Sequence, residues 1–308
     1  MKNKEKLIEG ALLFCAIITI FTTVGIVYVL FSESFSFFSE VSIVDFFTDS
    51  QWTPLFAQKH FGIAPLITGT LLTTAIAMAV ALPVGLTIAV YLSEYAPTRF
   101  KEIVKPLLEI LAAVPTVVYG FFALVVVTPF LQSTFIYLAE LNSVFKWMFG
   151  GLAEMSGFNA ISPGIVMGIM IIPFISSLSQ DALESVPKSL REASYGLGST
   201  RLQTAFKVLI PAASSGIISS ILLAFSRAIG ETMIVAIAAG QQPRLTLDPT
   251  VPIETITAYI VQVSLGDVPH GSLEYKTIFA AGITLFLFTL ILNNISFFVN
   301  RKYRLKYD

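Results

Sequence analysis

Apolar residues run along this chain in long blocks separated by shorter polar stretches. A bilayer core needs roughly 20 apolar residues in a helix. Six blocks meet that length: 7–31, 66–92, 107–131, 161–178, 213–239 and 277–299. The fourth is the shortest and holds Pro163 and Pro173, which makes it the weakest of the six. The pattern predicts an all-α integral membrane protein with six transmembrane helices.

Composition agrees. Hydrophobic residues make up 55% of the 308 and charged residues 13%, against about 25% charged in a typical soluble domain. The mean hydropathy is +0.79. Cys15 is the one cysteine, inside an apolar block, so neither an internal disulfide nor a cysteine-rich metal site can form. His60 and His270 lie in separate polar stretches and read as surface residues, not as metal ligands.

Charge placement predicts orientation, because lysine and arginine concentrate on the cytoplasmic side. With the N-terminus inside, inner segments hold fourteen: Lys2, Lys4, Lys6, Arg99, Lys101, Lys105, Lys188, Arg191, Arg201, Lys207, Arg301, Lys302, Arg304 and Lys306. Outer segments hold four: Lys59, Lys146, Arg244 and Lys276. Both termini are therefore expected in the cytoplasm. The first block is too long for a signal-peptide core and reads as an uncleaved anchor. The outer segments 32–65, 132–160 and 240–276 are either plain loops or short surface helices, with Trp52 and Trp147 suited to the membrane interface.

The inner segment 181–212 carries unusual helix signals. Ser189-Leu190-Arg191-Glu192 fits a capping box, and so does Thr200-Arg201-Leu202-Gln203. Leu190, Ala193, Ser194 and Leu197 fall on one face at helical spacing. Gly198 follows where helices often stop. Two short helices are expected, bent at 196–198, the second running through Pro211 into the fifth span. The apolar face needs a cover, which is either the membrane surface or a partner protein.

The fifth block has its midpoint near Ser226, so Arg227 lies close to mid-membrane. Placing an arginine there costs about 2.5–3.5 kcal/mol on insertion scales. Glu231 follows four residues later, on the same helical face, so the two can pair. Such a pair either fixes helix packing or serves an oxyanion passage. Guanidinium is planar, stays charged and can hold two oxygens at once. A neighbouring carboxylate would hold it in place and weaken binding enough for release.

Two resemblances bear on these residues. Glu192-Ala193-Ser194, then Gly198, then Val208-Leu209-Ile210-Pro211 resembles the EAA loop of ABC importer permeases, at matching spacing. Ser194 stands where the family has its second alanine. The resemblance implies a type I ABC importer permease fold, with Glu192, Ala193, Gly198 and Pro211 in a helix that couples to an ATPase. Arg227-Ala228-Ile229-Gly230-Glu231-Thr232-Met233 resembles the signature of phosphate importer permeases, and implies Arg227, Glu231 and Thr232 on the substrate pathway. Three further motifs resemble the PstC-type subunit: Leu92-Ser93-Glu94-Tyr95-Ala96-Pro97, the run Val114 to Phe122, and Gly168-Ile169-Met170-Ile171-Ile172-Pro173.

The resemblance implies a division into 1–65 (anchor and outer loop), 66–299 (permease domain with coupling loop 181–212) and 300–308 (basic tail). It implies a multi-pass protein of the cell membrane and a heterodimer with a PstA-type permease. The other implied partners are a PstB-type ATPase dimer and a PstS-type extracytoplasmic phosphate-binding protein, with no nucleic acid. It also implies no cofactor in this chain, ATP and Mg2+ being bound by the partner ATPase. No glycine here is followed by lysine, so the chain lacks a phosphate-cradling loop of its own. It lacks His-Glu-x-x-His and Gly-x-Ser-x-Gly as well. Molybdate or sulfate remain open as cargo, since one arginine does not separate them from phosphate. An ion-coupled secondary phosphate transporter is the rival of a different class. It predicts inverted repeats and broken midplane helices, neither visible in the sequence.

Smaller features complete the reading. Pro83, Pro115 and Pro129 lie within spans and can kink them. Thr116 and Tyr119 suit packing before path lining. Gly164 and Gly168 form a Gly-x-x-x-Gly contact pattern.

Overall fold

The structure is a computed structural model and describes residues 2–141 and 151–303, without the side chains of residues 2–5, 7 and 299–303. It is built from helices, and no β-strand occurs among the described residues. In chain order these are α1 Lys2–Phe38, α2 Ile43–Thr48, α3 Ala64–Glu94, α4 Thr98–Ala113 and α5 Thr116–Leu141. Then come α6 Ile161–Glu184, α7 Lys188–Gly196, α8 Arg201–Ala212, α9 Ser214–Ile229 and α10 Met233–Ala238. The last two are α11 Ile256–Leu265 and α12 Leu273–Tyr303. Five helices (α1, α3, α5, α6 and α12) are long and apolar enough to cross a membrane. The bent pair α8 and α9, which meet at 74°, brings the number to six.

Two expected spans are redrawn. The third was expected over 107–131. Residues up to Ala113 instead belong to the amphipathic α4, and the apolar span is Thr116–Leu141. The chain breaks at Val114, which is extended (φ −62°, ψ 131°) because the following Pro115 disfavours the helical region. The fifth was expected as one helix over 213–239, yet α9 stops at Ile229 and α10 resumes at Met233.

α3 and α6 form the tightest pair. A Cβ placed on Gly164 would lie 2.7 Å from Ile76, and one on Gly168 would lie 2.7 Å from the Ala77 carbonyl oxygen. The glycines let the two backbones approach, which in lipid is the main source of helix affinity. Their contact is the centre of the main core, with Ala77, Ala81, Met167, Met170 and Ile171 all buried. By contrast, the apolar stretch of α1 is exposed along its length, Cys15 included. α1 is held to α12 through its C-terminal half, where the Ser34 hydroxyl donates to the Phe279 carbonyl at 2.9 Å.

Two prolines shape helices in the same way. A π-helical turn covers Ala123–Val127 and another covers Ala205–Leu209. Each ends two residues before a proline, Pro129 and Pro211. A proline cannot donate to the carbonyl four residues back and crowds it. Widening the turn there accommodates both effects without ending the helix.

At the end of the bundle opposite α7, the outer segments carry short helices, α2 and α11. Trp52 was expected at the interface and is instead fully buried, packed edge-on against Tyr259 at 5.0 Å and Phe46 at 6.1 Å. Two ion pairs and a hydrogen bond tie this end together: Lys59 with Glu274, Lys276 with Glu40 at 2.8 Å, and His60 Nδ1 with the Asp49 carboxylate at 2.8 Å. Lys146 and Trp147 lie outside the described residues.

Candidate functional site

The 181–212 segment folds as an arm at one end of the bundle. α7 begins after Pro187, which occupies the cap position, so Ser189 is inside the first turn and the first expected capping box does not form. Gly198 takes φ +84°, a backbone that favours glycine, and turns the chain. The second capping box does form. The Gln203 amide donates to Thr200 Oγ1 at 3.3 Å, and the Thr200 amide donates to Gln203 Oε1 at 2.9 Å. α8 then runs through Pro211 to the bend at Ala213.

The arm's faces differ from the expected stripe. Leu190 is half-buried and Ser194 buried, but Ala193 and Leu197 face outward. Leu197 follows the last helical residue and is 88% exposed. With Tyr195, Leu202 and Phe206 it makes an uncovered apolar knob around the bend, and Glu192 is exposed on the same arm. Ser194, at the position of the family's second alanine, bonds Thr204 side chain to side chain at 2.9 Å. That bond pins α7 to the first turn of α8 across the bend, ahead of the π-helical turn.

Arg227 and Glu231 do not pair. Gly230 ends α9, so the four-residue spacing no longer places them on one face. The Glu231 carboxylate instead accepts from the Met233 amide at 3.2 Å and, more weakly, from Ile234 at 3.5 Å, capping the start of α10. Thr232 Oγ1 donates back to the Gly230 carbonyl at 3.3 Å, and Thr257 donates to the Glu231 carbonyl at 2.7 Å. Arg227 sits in the last turn of α9, where the helix dipole favours a cation. Its guanidinium lies 5.9 Å from the ring centre of Phe174, midway along α6. No carboxylate pairs with it among the described residues.

Arg227 lines a cavity of about 200 Å³ with Lys105, Glu109, Phe174, Ser177 and Gln180. The cavity runs from mid-α6 toward the α7 end, where Lys105 approaches Asp181 at 3.6 Å. Arg227 and Lys105 thus share a half-open space with the Glu109 carboxylate, and Arg227 is the cation without an ion-pair partner among the described residues.

Two of the three accompanying motifs, residues 114–122 and 168–173, pack around this place, and the third, residues 92–97, ends α3 beside α7. Gly120 lets α5 meet α10, since a Cβ there would lie 2.9 Å from Ile237. Tyr119 is a packing residue, its hydroxyl donating to the Leu111 carbonyl at 2.7 Å. Met170 and Pro173 line the Arg227 cavity.

Residues 81–305 match the family of binding-protein-dependent transport system inner membrane components. This chain belongs to that family. A probable ABC transporter permease protein, YqgH of Bacillus subtilis, is 34% identical over 92% of this chain and 87% of its own. The phosphate transport system permease protein PstC of Mesorhizobium japonicum is 32% identical over 90% and 84%. A probable PstC of Methanocaldococcus jannaschii is 31% identical over 85% and 82%. Among solved structures, a bacterial alginate ABC transporter in complex with a periplasmic protein aligns with a TM-score of 0.61 over 95% of both chains at 16% identity. The MetNI methionine ABC transporter, inward facing, aligns at 0.53 over 79% of this chain and 94% of its own, at 17% identity. The fold is that of type I ABC importer permeases, and the chain is a transport component of such an importer.

One buried acid of this permease gave no sequence signal. Glu254, just before α11, is 1% exposed and its Oε1 has no hydrogen-bond partner among the described residues. Burial pushes its carboxyl up from 4.5 to about 8. It lines a cavity of about 400 Å³ at the end opposite α7, with Trp52, Gln241, Gln242, Tyr259 and Gln262. A lone glutamate in a polar loop is ordinary in sequence; only the fold encloses it.

Proposed function

We propose that this permease is the PstC-type subunit of a phosphate importer in the cell membrane. It pairs with a PstA-type permease, takes its motion from a PstB-type ATPase dimer that holds ATP and Mg2+, and receives inorganic phosphate from a PstS-type extracytoplasmic binding protein. The α7 end faces the cytoplasm, and so do both termini. The observation that carries the reading is Arg227. It is unneutralised by Glu231, at mid-depth, and opens into a cavity that continues past Lys105 toward the α7 end. The names of the PstC relatives point to the same cargo.

The mechanism follows from the parts. Loaded binding protein docks on the outer segments. ATP closes the ATPase dimer on the Tyr195–Leu197–Leu202–Phe206 knob. α7 moves with the first turn of α8, the spans rock outward, and phosphate passes Arg227, which engages two oxygens through its planar fork. Hydrolysis returns the inward state, with the cavity between Arg227 and Lys105 as the exit leg.

The test is Arg227→Gln in the assembled complex. A charge-assisted contact is worth about 1.5–3 kcal/mol, so phosphate uptake should fall roughly tenfold to a hundredfold with assembly intact. Unchanged uptake would remove Arg227 from the pathway. Excess sulfate or molybdate should not compete; strong competition would reassign the cargo. One observation favours the ion-coupled carrier: the break between α9 and α10 is the kind of broken helix such carriers use. Uptake that persists without ATP, driven by an ion gradient alone, would establish that reading instead.

A further inference from the structure

α7 is joined to the spans at both its chain ends and by a side-chain contact. On its N-terminal side residues 185–187 tie it directly to α6. On its C-terminal side the chain runs through α8, which contains a π-helical turn and Pro211, and then bends by 74° into α9. A helix that is already widened and bent absorbs displacement by changing its bend.

The side-chain contact is Arg191, in the first turn of α7. Its Nη2 donates to the Leu183 carbonyl at 2.7 Å and its Nη1 to the Val186 carbonyl at 3.4 Å, at the end of α6. Its Nε donates to Glu94 Oε1 at 3.2 Å, and Nη2 lies 3.1 Å from the same oxygen. Glu94 is the last residue of α3, its side chain is 5% exposed, and it also accepts from Ser93 Oγ at 2.8 Å. One guanidinium thus fastens the last turn of α3 and the end of α6 to the first turn of α7. Lys101 of α4 adds a looser tie, reaching the Ser93 carbonyl at 3.3 Å and Glu184 at 3.4 Å.

The properties of this clamp suit a mechanical link. The hydrogen bonds are charge-assisted and the guanidinium fork is rigid. A cation at a helix C-terminus is favoured by the helix dipole. Leaving the Glu94 charge buried without its partner is costly, so the contact resists being pulled apart. α3 and α6 are themselves locked by the Gly164 and Gly168 approach, and α6 supplies Phe174, Ser177 and Gln180 to the Arg227 cavity.

We propose that Arg191, clamped on Glu94, is the positioning residue that carries the movement of α7 into α3, so that α3 and α6 move together and the stroke reaches the Arg227 cavity through that pair and not along α8 into α9. The proposal rests on the reading of α7 as the ATPase-docking helix. Within it, the Leu92–Pro97 motif serves to present Glu94 at the end of α3.

The test uses the whole complex in proteoliposomes, with ATP hydrolysis and phosphate uptake measured on one sample. Couplings of this kind amount to about 0.5–2 kcal/mol. Arg191→Gln should therefore lower the phosphate moved per ATP by about tenfold while hydrolysis continues. Arg191→Lys should recover part of it. Glu94→Gln should lower it less, and the double variant should be no worse than Arg191→Gln alone. An unchanged ratio in Arg191→Gln overturns the proposal. So does an equal fall in hydrolysis, uptake and amount of assembled complex, which marks a merely structural contact. A readout independent of cargo is the distance between spin labels placed at Val84 on α3 and Leu223 on α9, both exposed. It should change on ATP binding in the parent complex and stay fixed in Arg191→Gln; a change that survives Arg191→Gln overturns the clamp. A parent complex that moves no phosphate would instead sink the cargo reading, and the label distance still decides the clamp.

Discussion

α6 and α9 both contribute to the Arg227 cavity, and α6 and the α9–α10 pair treat helix breakers in opposite ways. α6 contains Pro163 and Pro173 and still runs unbroken from Ile161 to Glu184. The α9–α10 segment contains no proline and is interrupted between Ile229 and Met233. The difference lies in what satisfies the backbone. Pro163 is in the first turn of α6, where amides have no helical partner anyway. The Ser162 amide is taken by Asn159 Oδ1 at 2.8 Å, and the first regular bond is Gly164 to Ala160. Pro173 does remove an interior bond, but α3 holds the helix in place on either side of it. At Gly230 the reverse applies: Glu231 offers the next helix a cap, so stopping and restarting leaves few groups unpaired. A continuous helix serves as wall and lever, and a broken one leaves Arg227 at a free end.

The contrast between the two segments breaks most severely if α6 loses its seat on α3. Gly168→Leu places a branched side chain against the Ala77 backbone and Val80, where even a single Cβ would meet the Ala77 oxygen at 2.7 Å. Overpacking typically costs about 1–3 kcal/mol, and backbone atoms cannot turn aside as a side chain can. The expected result is a cost at or above that range, read as loss of folded material by size-exclusion chromatography and a lower Tm in what remains. Normal yield and Tm would mean that α3 and α6 are not held by close backbone approach.

Glu231→Ala probes the other side with a smaller effect. Loss of a cap costs about 1 kcal/mol. Tm should fall by a few degrees, and hydrogen exchange should quicken at Met233 and Ile234 before it does elsewhere in α10. Uniform protection in the variant would show that Glu231 does not hold the restart.

These two sites also mark what the sequence reveals. The Gly164 and Gly168 spacing, the Thr200 capping box and the turn at Gly198 are local patterns, and they appear where the chain places them. The Arg227–Glu231 pairing fails because the four-residue rule presumes a continuous helix, and a tertiary contact from Thr257 helps to stop it. The third span slips because residues on both sides of Val114 are apolar; block length alone cannot see a break that Pro115 does signal. Trp52 is misplaced because Tyr259, which covers it edge-on, is distant in sequence. Arg191 is invisible for the same reason, Glu94 being 97 residues away.

Pro163→Ala is the smallest change and the sharpest control. If a proline disturbed α6, replacing it would stabilise the helix by restoring a bond, at up to about 3 kcal/mol for an interior position. The first-turn position predicts otherwise. The restored amide has no carbonyl to meet, and the unfolded chain gains freedom worth about 0.4–1 kcal/mol. Pro163 is also buried, so the loss of two ring carbons removes some packing. Both terms act in the same direction. The variant should therefore be slightly less stable than the parent, with Tm lower by a degree or two and uptake unaltered. A rise in Tm would mean that Pro163 strains α6, and that its continuity is imposed by α3 against the preference of its own first turn.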